Sequence, residues 1–123
     1  MSKKVLIVDD EPSIVMSLDF LMKKNGYEVF IARDGEEAME LAGREQPDVI
    51  ILDIMMPKVD GYEVCQQLKA DADLSQTRVI FLSAKGKEAD IERGYAAGAD
   101  LYLTKPFSPR VLLENVRLLF NRA

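Results

Sequence analysis

Continuously apolar runs alternate with amphipathic stretches along the whole chain. Five short apolar runs predict strands, at positions 5–8, 28–32, 49–52, 79–82 and 101–103. The runs at 5–8 and 49–52 are apolar at every position instead of alternating, which is typical of strands buried on both faces. The pattern therefore predicts a sheet that is covered by helices on both sides.

The stretches between these runs predict five helices. Their apolar positions recur at helical spacing. They are Ile14, Val15, Leu18, Leu21 and Met22 in the first helix, Ala38, Leu41 and Ala42 in the second, Tyr62, Cys65 and Leu68 in the third, Ile91 and Tyr95 in a weaker fourth that Gly94 interrupts, and Leu112, Val116, Leu119 and Phe120 in the fifth. The residues that favour helix ends and turns are Pro12, Gly26, the capping pair Asp34 and Glu37, Pro47, Pro57, Gly61, and Ser108 with Pro109.

The order of these elements predicts the fold class. Five strands alternating with five helices indicate a doubly wound α/β fold with a parallel sheet. Right-handed crossovers restrict the strand order to a few options. The chain has 123 residues, which is the size of one ordinary domain, and no linker or repeat divides it. We therefore expect one domain over residues 1–123.

Polar residues stand where several of the predicted strands end. They are Asp9, Asp10 and Glu11 after the first strand, Asp53 after the third, Ser83 at the end of the fourth, and Thr104, Lys105 and Pro106 after the fifth. Ligands of open parallel sheets bind at the carboxyl ends of the strands, so we expect these side chains to lie together. Three aspartates in one crevice repel one another, and a bound Mg²⁺ would remove that penalty.

The other members of this set suit phosphoryl transfer. Lys105 can neutralise charge on a phosphoryl group, and Ser83 can donate a hydrogen bond to it. A carboxylate can itself be the nucleophile and form an acyl phosphate. The set therefore indicates Mg²⁺-dependent phosphoryl transfer to an aspartate. Strand-end and helix-cap roles would explain single aspartates, but three such aspartates together with Lys105 argue against that explanation.

Composition narrows the possible functions. A formal net charge of −5 argues against direct nucleic-acid binding, which needs a basic surface. The absence of histidine excludes Ser-His and Cys-His catalytic pairs and histidine-ligated metals. Cys65 is the single cysteine, so no intrachain disulfide can form. No apolar run is long enough to span a membrane and no signal peptide is recognisable, so we expect a cytoplasmic protein.

Four ordered motifs resemble the receiver domains of bacterial two-component response regulators. They are VLIVDDE at 5–11, LDIMMP at 52–57, FLSA at 81–84 and YLTKPF at 102–107, with DG at 60–61 and GAD at 98–100 in addition. The resemblance extends from about Lys4 to about Phe120 and implies the flavodoxin-like strand order 2-1-3-4-5. It also implies a signalling switch that catalyses only its own phosphorylation and dephosphorylation.

The resemblance implies a role for each matched position at the site. Asp53 would accept the phosphoryl group, and Lys105 would pair with its oxygens. The implied Mg²⁺ ligands are Asp9, Asp10, Asp53 and the backbone carbonyl of Met55. The Lys105-Pro106 peptide bond would be cis.

Ser83 and Tyr102 would form the switch. The resemblance implies that the Ser83 hydroxyl moves onto the phosphoryl group and that Tyr102 then turns inward. A plain surface tyrosine explains Tyr102 nearly as well, because it alternates with two leucines that should face inward. Nearby, Glu11 is expected to stabilise a helix N-terminus and Cys65 to pack in the core.

A signalling switch needs a phosphoryl donor and a protein or domain that binds the surface that changes. A sensor histidine kinase or a histidine phosphotransfer protein would supply the phosphohistidine. The fourth helix, fifth strand and fifth helix would be read by a downstream protein or output domain. Met55 and Lys85 flank the site and would favour a long-lived phosphorylated state.

Three other functions stay open at this point. A flavodoxin-like mononucleotide binder would need a Gly/Ser/Thr-rich cradle where residues 9–12 read DDEP. A pure interaction module would lack a member of the set, and none is missing. A phosphatase would need a further acid or base, and the sequence offers none beyond Asp10.

Overall fold

Strands and helices alternate along the chain in the predicted order. The computed structural model describes residues 3–55 and 60–120. The strands are β1 (Lys4–Val8), β2 (Glu28–Ala32), β3 (Val49–Leu52), β4 (Arg78–Ser83) and β5 (Leu101–Thr104). The helices are α1 (Pro12–Lys24), α2 (Gly35–Glu45), α3 (Gly61–Ala70), α4 (Glu88–Ala96) and α5 (Pro109–Phe120). None of the helices within these described ranges is long and apolar enough to cross a membrane.

The strands form one parallel sheet in the order β2-β1-β3-β4-β5. The register pairs Val8 at the end of β1 with Leu52 at the end of β3. It pairs Leu52 in turn with Phe81, and Ser83 at the end of β4 with Thr104 at the end of β5. The carboxyl ends of these strands therefore meet at one edge of the sheet. This arrangement confirms the predicted doubly wound α/β fold and its 2-1-3-4-5 order.

Apolar side chains fill both faces of the sheet. On one face, α2, α3 and α4 pack over a cluster that includes Leu6, Ile50 and Phe81. On the other face, α1 and α5 pack over a cluster that includes Ile7 and Ile51. Neighbouring residues of one strand enter opposite clusters because side chains alternate across a strand. The continuously apolar runs of β1 and β3 follow from this two-sided burial.

Side chains and a glycine set several helix ends where the sequence predicts them. The Asp34 carboxylate accepts a hydrogen bond from the N–H of Glu37 at 2.8 Å, which begins α2. The Glu37 carboxylate in return accepts from the N–H of Arg33 at 2.8 Å, one residue earlier than in a capping box. The Ser108 hydroxyl caps α5 by accepting a backbone N–H at 3.3 Å. Gly26 follows α1 with a φ of 88°, a conformation that favours glycine.

Gly94 lies inside α4 and does not interrupt it, so this sequence prediction is wrong. The residue is buried, and a Cβ atom there would lie 2.7 Å from Cδ2 of Tyr102 and 3.2 Å from Cδ2 of Phe81. Glycine in a helix costs about 1 kcal/mol relative to alanine. Here it allows α4 to approach the sheet closely, and this packing keeps the helix continuous.

Candidate functional site

Three aspartates lie side by side at the carboxyl ends of β1 and β3. The N–H of Asp53 donates to the carbonyl of Val8 at 2.9 Å, and the N–H of Asp9 donates to the carbonyl of Ala32 at 3.2 Å. These bonds extend the ladders of the sheet and fix both residues at its edge. One carboxylate oxygen from each of Asp9, Asp10 and Asp53 lies within 4.8 Å of the others. Asp9 and Asp53 are buried, whereas Asp10 is exposed.

Lys105 enters the same cluster from the loop after β5. Its Nζ lies 2.9 Å from Oδ2 of Asp9 and 3.5 Å from Oδ2 of Asp53. The carboxylate of Glu11 lies 3.4 Å away. The Lys105-Pro106 peptide bond is cis. The ammonium group is therefore held among three carboxylates that come from two different loops.

Burial and neighbouring charges act on Asp53 in opposite directions. Burial is the largest cause and raises the pKa of Asp53, while the Lys105 ammonium lowers it and the Asp9 carboxylate raises it. The net result is a raised pKa. For Lys105, burial works to lower the pKa, but the carboxylates, above all Asp9, outweigh it and the pKa is raised. A further positive charge at the site would therefore stabilise the ionised form of Asp53.

The donor set fits a hard divalent cation. Three carboxylates supply the oxygen ligands that Mg²⁺ prefers, and the exposure of Asp10 leaves one side of the cluster accessible to water and phosphate. The pKa of Asp53 stays raised because the Lys105 ammonium does not offset the burial of the carboxyl group together with the Asp9 charge. Met55 is close by, since its N–H lies 3.4 Å from Oδ1 of Asp53. The metal-ligand role of the Met55 carbonyl stays a prediction.

Ser83 and Tyr102 occupy buried positions near the ends of β4 and β5. Ser83 is 0% exposed, and its Oγ accepts from the N–H of Lys85 at 3.2 Å. Its carbonyl accepts from the N–H of Lys105 at 2.8 Å. Tyr102 is 7% exposed, and its hydroxyl donates to the carbonyl of Lys85 at 2.6 Å. The surface-tyrosine alternative is therefore wrong, because the face opposite the two leucines of β5 is also a core face.

The start of α3 rests directly on the backbone of the candidate acceptor. The N–H of Gly61 donates to the carbonyl of Ile54 at 2.9 Å. A Cβ atom on Gly61 would lie 2.6 Å from the carbonyl oxygen of Asp53 and 2.6 Å from Cα of Ile54, so the close approach requires glycine. Pro57, the other predicted turn residue of this segment, lies outside the described residues.

Two residues make contacts that the sequence does not indicate. The sequence predicts only a helix-stabilising role for Glu11, whereas its carboxylate also lies 3.4 Å from the Lys105 ammonium. Tyr62 has the position of a packing residue on α3, yet its buried hydroxyl donates to the carbonyl of Asp90 in α4 at 3.1 Å. A helical pattern shows which face is buried but not where a hydroxyl points. Cys65 is buried as expected, and burial raises its pKa to about 11.

Comparison with known proteins identifies the family. Residues 5–117 match the family model described as the response regulator receiver domain. The chain is 46% identical over 123 residues to the alkaline phosphatase synthesis transcriptional regulatory protein PhoP of Bacillus subtilis (strain 168), with 100% of this chain and 50% of the relative covered. It is 50% identical over 120 residues to the probable transcriptional regulator ycf27 of Guillardia theta, with 98% of this chain and 46% of the relative covered.

Solved structures agree with the sequence comparison. The chemotaxis response regulator CheY4 of Vibrio cholerae is 34% identical and superimposes with a TM-score of 0.90, with 97% of this chain and 99% of that chain covered. The chain spans about half the length of the two curated relatives, 50% and 46%. The family match covers all four strand-end motifs and the whole sheet except Lys4, the first residue of β1. The chain therefore belongs to the receiver-domain family of two-component response regulators.

Proposed function

We propose that this domain takes a phosphoryl group from a partner phosphohistidine onto Asp53, with Mg²⁺ beside it, and changes conformation as a result. The observation that carries the proposal is the cluster itself. Asp53 is buried, the Lys105 Nζ lies 3.5 Å from its carboxylate, and oxygens of Asp9 and Asp10 lie within 4.8 Å. A nucleophile, cation ligands and a positive charge at one point are what phosphoryl transfer to a carboxylate requires.

Asp53 acts as the nucleophile in its ionised form. One carboxylate oxygen bonds to phosphorus while the P–N bond of the phosphohistidine breaks. The electron pair of that bond stays on the imidazole nitrogen, which takes a proton from solvent. Burial works against the ionised form of Asp53, so the site gains reactivity from any group that stabilises this charge without covering the attacking oxygen. Mg²⁺ held by Asp9, Asp10, Asp53 and the Met55 carbonyl would supply that stabilisation.

Besides Mg²⁺, the side chain of Lys105 places a positive charge next to Asp53. Its nearest carboxylate is Asp9 at 2.9 Å, and Asp53 is at 3.5 Å. A phosphoryl group on Asp53 places new acceptor oxygens near this ammonium. Lys105 can then exchange Asp9 for a phosphoryl oxygen through a small movement of its side chain. The exchange stabilises negative charge that develops during transfer.

Ser83 and Tyr102 transmit the change towards the surface formed by α4, β5 and α5. Ser83 accepts from the N–H of Lys85 and Tyr102 donates to the carbonyl of Lys85, so both act on the loop before α4. Rotation of the Ser83 hydroxyl to the phosphoryl group releases one of these bonds. The loop and the start of α4 then populate a second arrangement.

The proposal includes the molecular setting. A sensor histidine kinase or a histidine phosphotransfer protein loads the domain, and a downstream protein or an output domain reads the surface of α4, β5 and α5. Exposed apolar residues of this surface are Tyr95, Val111 and Leu118. Residues 1–123 form one domain, its location is cytoplasmic, and it makes no direct contact with nucleic acid.

Intact mass spectrometry after incubation with Mg²⁺ and a small acyl phosphate tests the acceptor. We expect the native protein to gain one phosphoryl group, and Asp53→Asn to gain none. Asp73→Asn is the matched control, because it removes an exposed carboxylate elsewhere in the chain, and it should behave as the native protein does. Chelation of Mg²⁺ with EDTA should abolish the gain.

The other outcomes are equally informative. No gain in any variant would favour the pure interaction module. A gain that persists in Asp53→Asn would show that another residue is the acceptor. The decay of the phosphorylated mass tests the expected long lifetime, and hydrolysis within seconds would contradict it.

A further inference from the structure

Tyr62 connects the backbone of Asp53 to α4 by a path that does not pass through Ser83. The residue before it, Gly61, lies so close to the backbone of Asp53 and Ile54 that a Cβ atom on it would be 2.6 Å from the Asp53 carbonyl oxygen. The first turn of α3 therefore packs directly against the backbone of the candidate acceptor. Tyr62 is the first side chain of that turn to enter the core, where it is 1% exposed.

Two contacts tie the Tyr62 side chain to α4. Its hydroxyl donates to the carbonyl of Asp90 at 3.1 Å. Its ring lies under the guanidinium of Arg93, with the Arg93 Cζ at 4.1 Å from the ring centroid, a distance typical of a cation–π contact. Arg93 also reaches back to Asp60, the N-cap of α3, at 3.8 Å. The start of α3 and the first two turns of α4 are thus joined by polar and stacking contacts.

Tyr62 and Tyr102 form one buried unit. Both rings flank Phe81, with centroid distances of 5.6 Å for Tyr62 and 5.8 Å for Tyr102. The two hydroxyl groups are close enough to affect each other's pKa. Each phenol has one proton to donate, and the acceptors in use are the carbonyls of Asp90 and Lys85. Because the two hydroxyl groups are neighbours, a change of hydrogen-bond partner by one of them alters the surroundings of the other.

We propose that Tyr62 is a positioning residue that couples the state of Asp53 to α4, in parallel with the Ser83 and Tyr102 switch. The inference rests on the proposed function for its trigger, but not for the contacts themselves. Movement of the Asp53 backbone shifts the first turn of α3, and the Tyr62 hydroxyl and ring transfer that shift to Asp90 and Arg93. The helix α4 thus receives two inputs, one through β5 and one through α3.

Hydrogen exchange of the α4 amides, measured before and after treatment with Mg²⁺ and a small acyl phosphate, tests this coupling. Tyr62→Phe keeps the ring and removes only the hydroxyl. We expect it to accept the phosphoryl group as the native protein does. Its α4 amides should exchange on the order of fivefold faster in the unmodified protein, the effect of one lost hydrogen bond. The change in α4 exchange on phosphorylation should fall to less than half of the native change.

The change in α4 exchange on phosphorylation distinguishes coupling from a purely structural role of Tyr62. A purely structural role would speed α4 exchange equally in both states and leave the phosphorylation-induced change intact, which would overturn the proposal. Tyr27→Phe is the matched control, because its ring stacks on Phe120 at 5.0 Å in α5, away from α4, and it should respond as the native protein does. Arg93→Met, a change at an exposed side chain, provides a variant that folds and should reduce the change in the same direction.

A third arm keeps the inference separate from the proposed function. If the native protein gains no phosphoryl group, the proposed function fails while the coupling is judged on the unmodified protein. There, the effects of Tyr62→Phe and Tyr102→Phe on α4 exchange should be non-additive, since the two hydroxyls belong to one unit. Additive effects, or no effect of Tyr62→Phe on α4, would overturn the inference.

Discussion

The carboxyl group of Asp53 is buried, and burial disfavours its charged form. The pKa of this carboxyl is raised because burial and Asp9 together outweigh the Lys105 ammonium. A group that is destabilised in its charged form gains most from a bound cation, because the cation offsets the loss of hydration and the repulsion from neighbouring carboxylates. The same environment therefore lowers the stability of the metal-free domain when Asp53 is ionised.

Asp53→Asn is expected to stabilise the metal-free domain at about pH 7. The amide keeps the size of the side chain and removes the buried charge. Because the folded pKa of Asp53 is raised, its charge lowers stability above that pKa and has no effect below the ordinary value of 3.8. Thermal unfolding in EDTA should give a Tm a few degrees above native at neutral pH, and the difference should vanish as the pH falls towards 3.8. Asp73→Asn should show no such difference, and a lower Tm of Asp53→Asn at neutral pH would contradict the prediction.

At the residue scale, the sequence predicted which residues meet but not how they are oriented. Asp9, Asp53 and Lys105 were predictable because the carboxyl ends of parallel strands share one edge. The direction of Tyr102 was not, because alternation with two leucines says only that it faces the other side of the sheet. Both sides carry a core here, so that residue is buried too. The hydrogen bond of the Tyr62 hydroxyl could not be predicted either, because a hydrophobic pattern shows which residues are buried and not where a hydroxyl group points.

At the scale of elements, α4 is held differently from its neighbours. All of its residues are described, and Gly94 is the one that is buried, whereas α3 buries five residues, from Gly61 to Leu68. An element with few buried side chains opens at low free energy. Two hydrogen bonds therefore contribute a larger share of its attachment: the Tyr62 hydroxyl donates to the carbonyl of Asp90, and the N–H of Tyr102 donates to the hydroxyl of Tyr95 at 3.1 Å. The sequence predicted the weak attachment of α4 from its poor apolar stripe. The predicted cause, an interruption of the helix at Gly94, was wrong.

Gly94→Ala is expected to destabilise the domain although alanine is the better helix former. A Cβ at this position would lie 2.7 Å from the Tyr102 ring and 3.2 Å from Phe81, so α4 must move away or the Tyr102 ring must turn outward. We expect a loss of about 1–3 kcal/mol in urea unfolding, with greater iodide quenching of tyrosine fluorescence. Gly43→Ala in α2 is the control, because a Cβ there meets nothing within 4 Å, and it should add about 1 kcal/mol. Equal stabilisation by both changes would show that α4 lies farther from the sheet than these distances indicate.

At the scale of the whole molecule, the site depends on the order of the strands. Residues 9, 53 and 105 come together because β1 and β3 are neighbours and because β5 lies beyond β4 at the same edge. The alternation of strands and helices predicts the fold class but leaves several doubly wound orders possible. The strand-end motifs, through their resemblance to receiver domains, selected the order that the structure has.

Mg²⁺ should stabilise the whole domain through this one site. A ligand that binds only the folded state raises its stability by about 2.7 kcal/mol at a concentration of 100 times the Kd. Thermal unfolding at constant ionic strength should therefore show a Tm that rises with Mg²⁺ for the native protein. Asp10→Asn changes an exposed carboxylate of the cluster, so the fold should persist while the Mg²⁺-dependent rise becomes much smaller. Asp73→Asn removes the same charge from the net of −5 without touching the cluster, and it should keep the full response. If all three proteins respond alike, Mg²⁺ binds elsewhere on the acidic surface, and the three aspartates do not form its site.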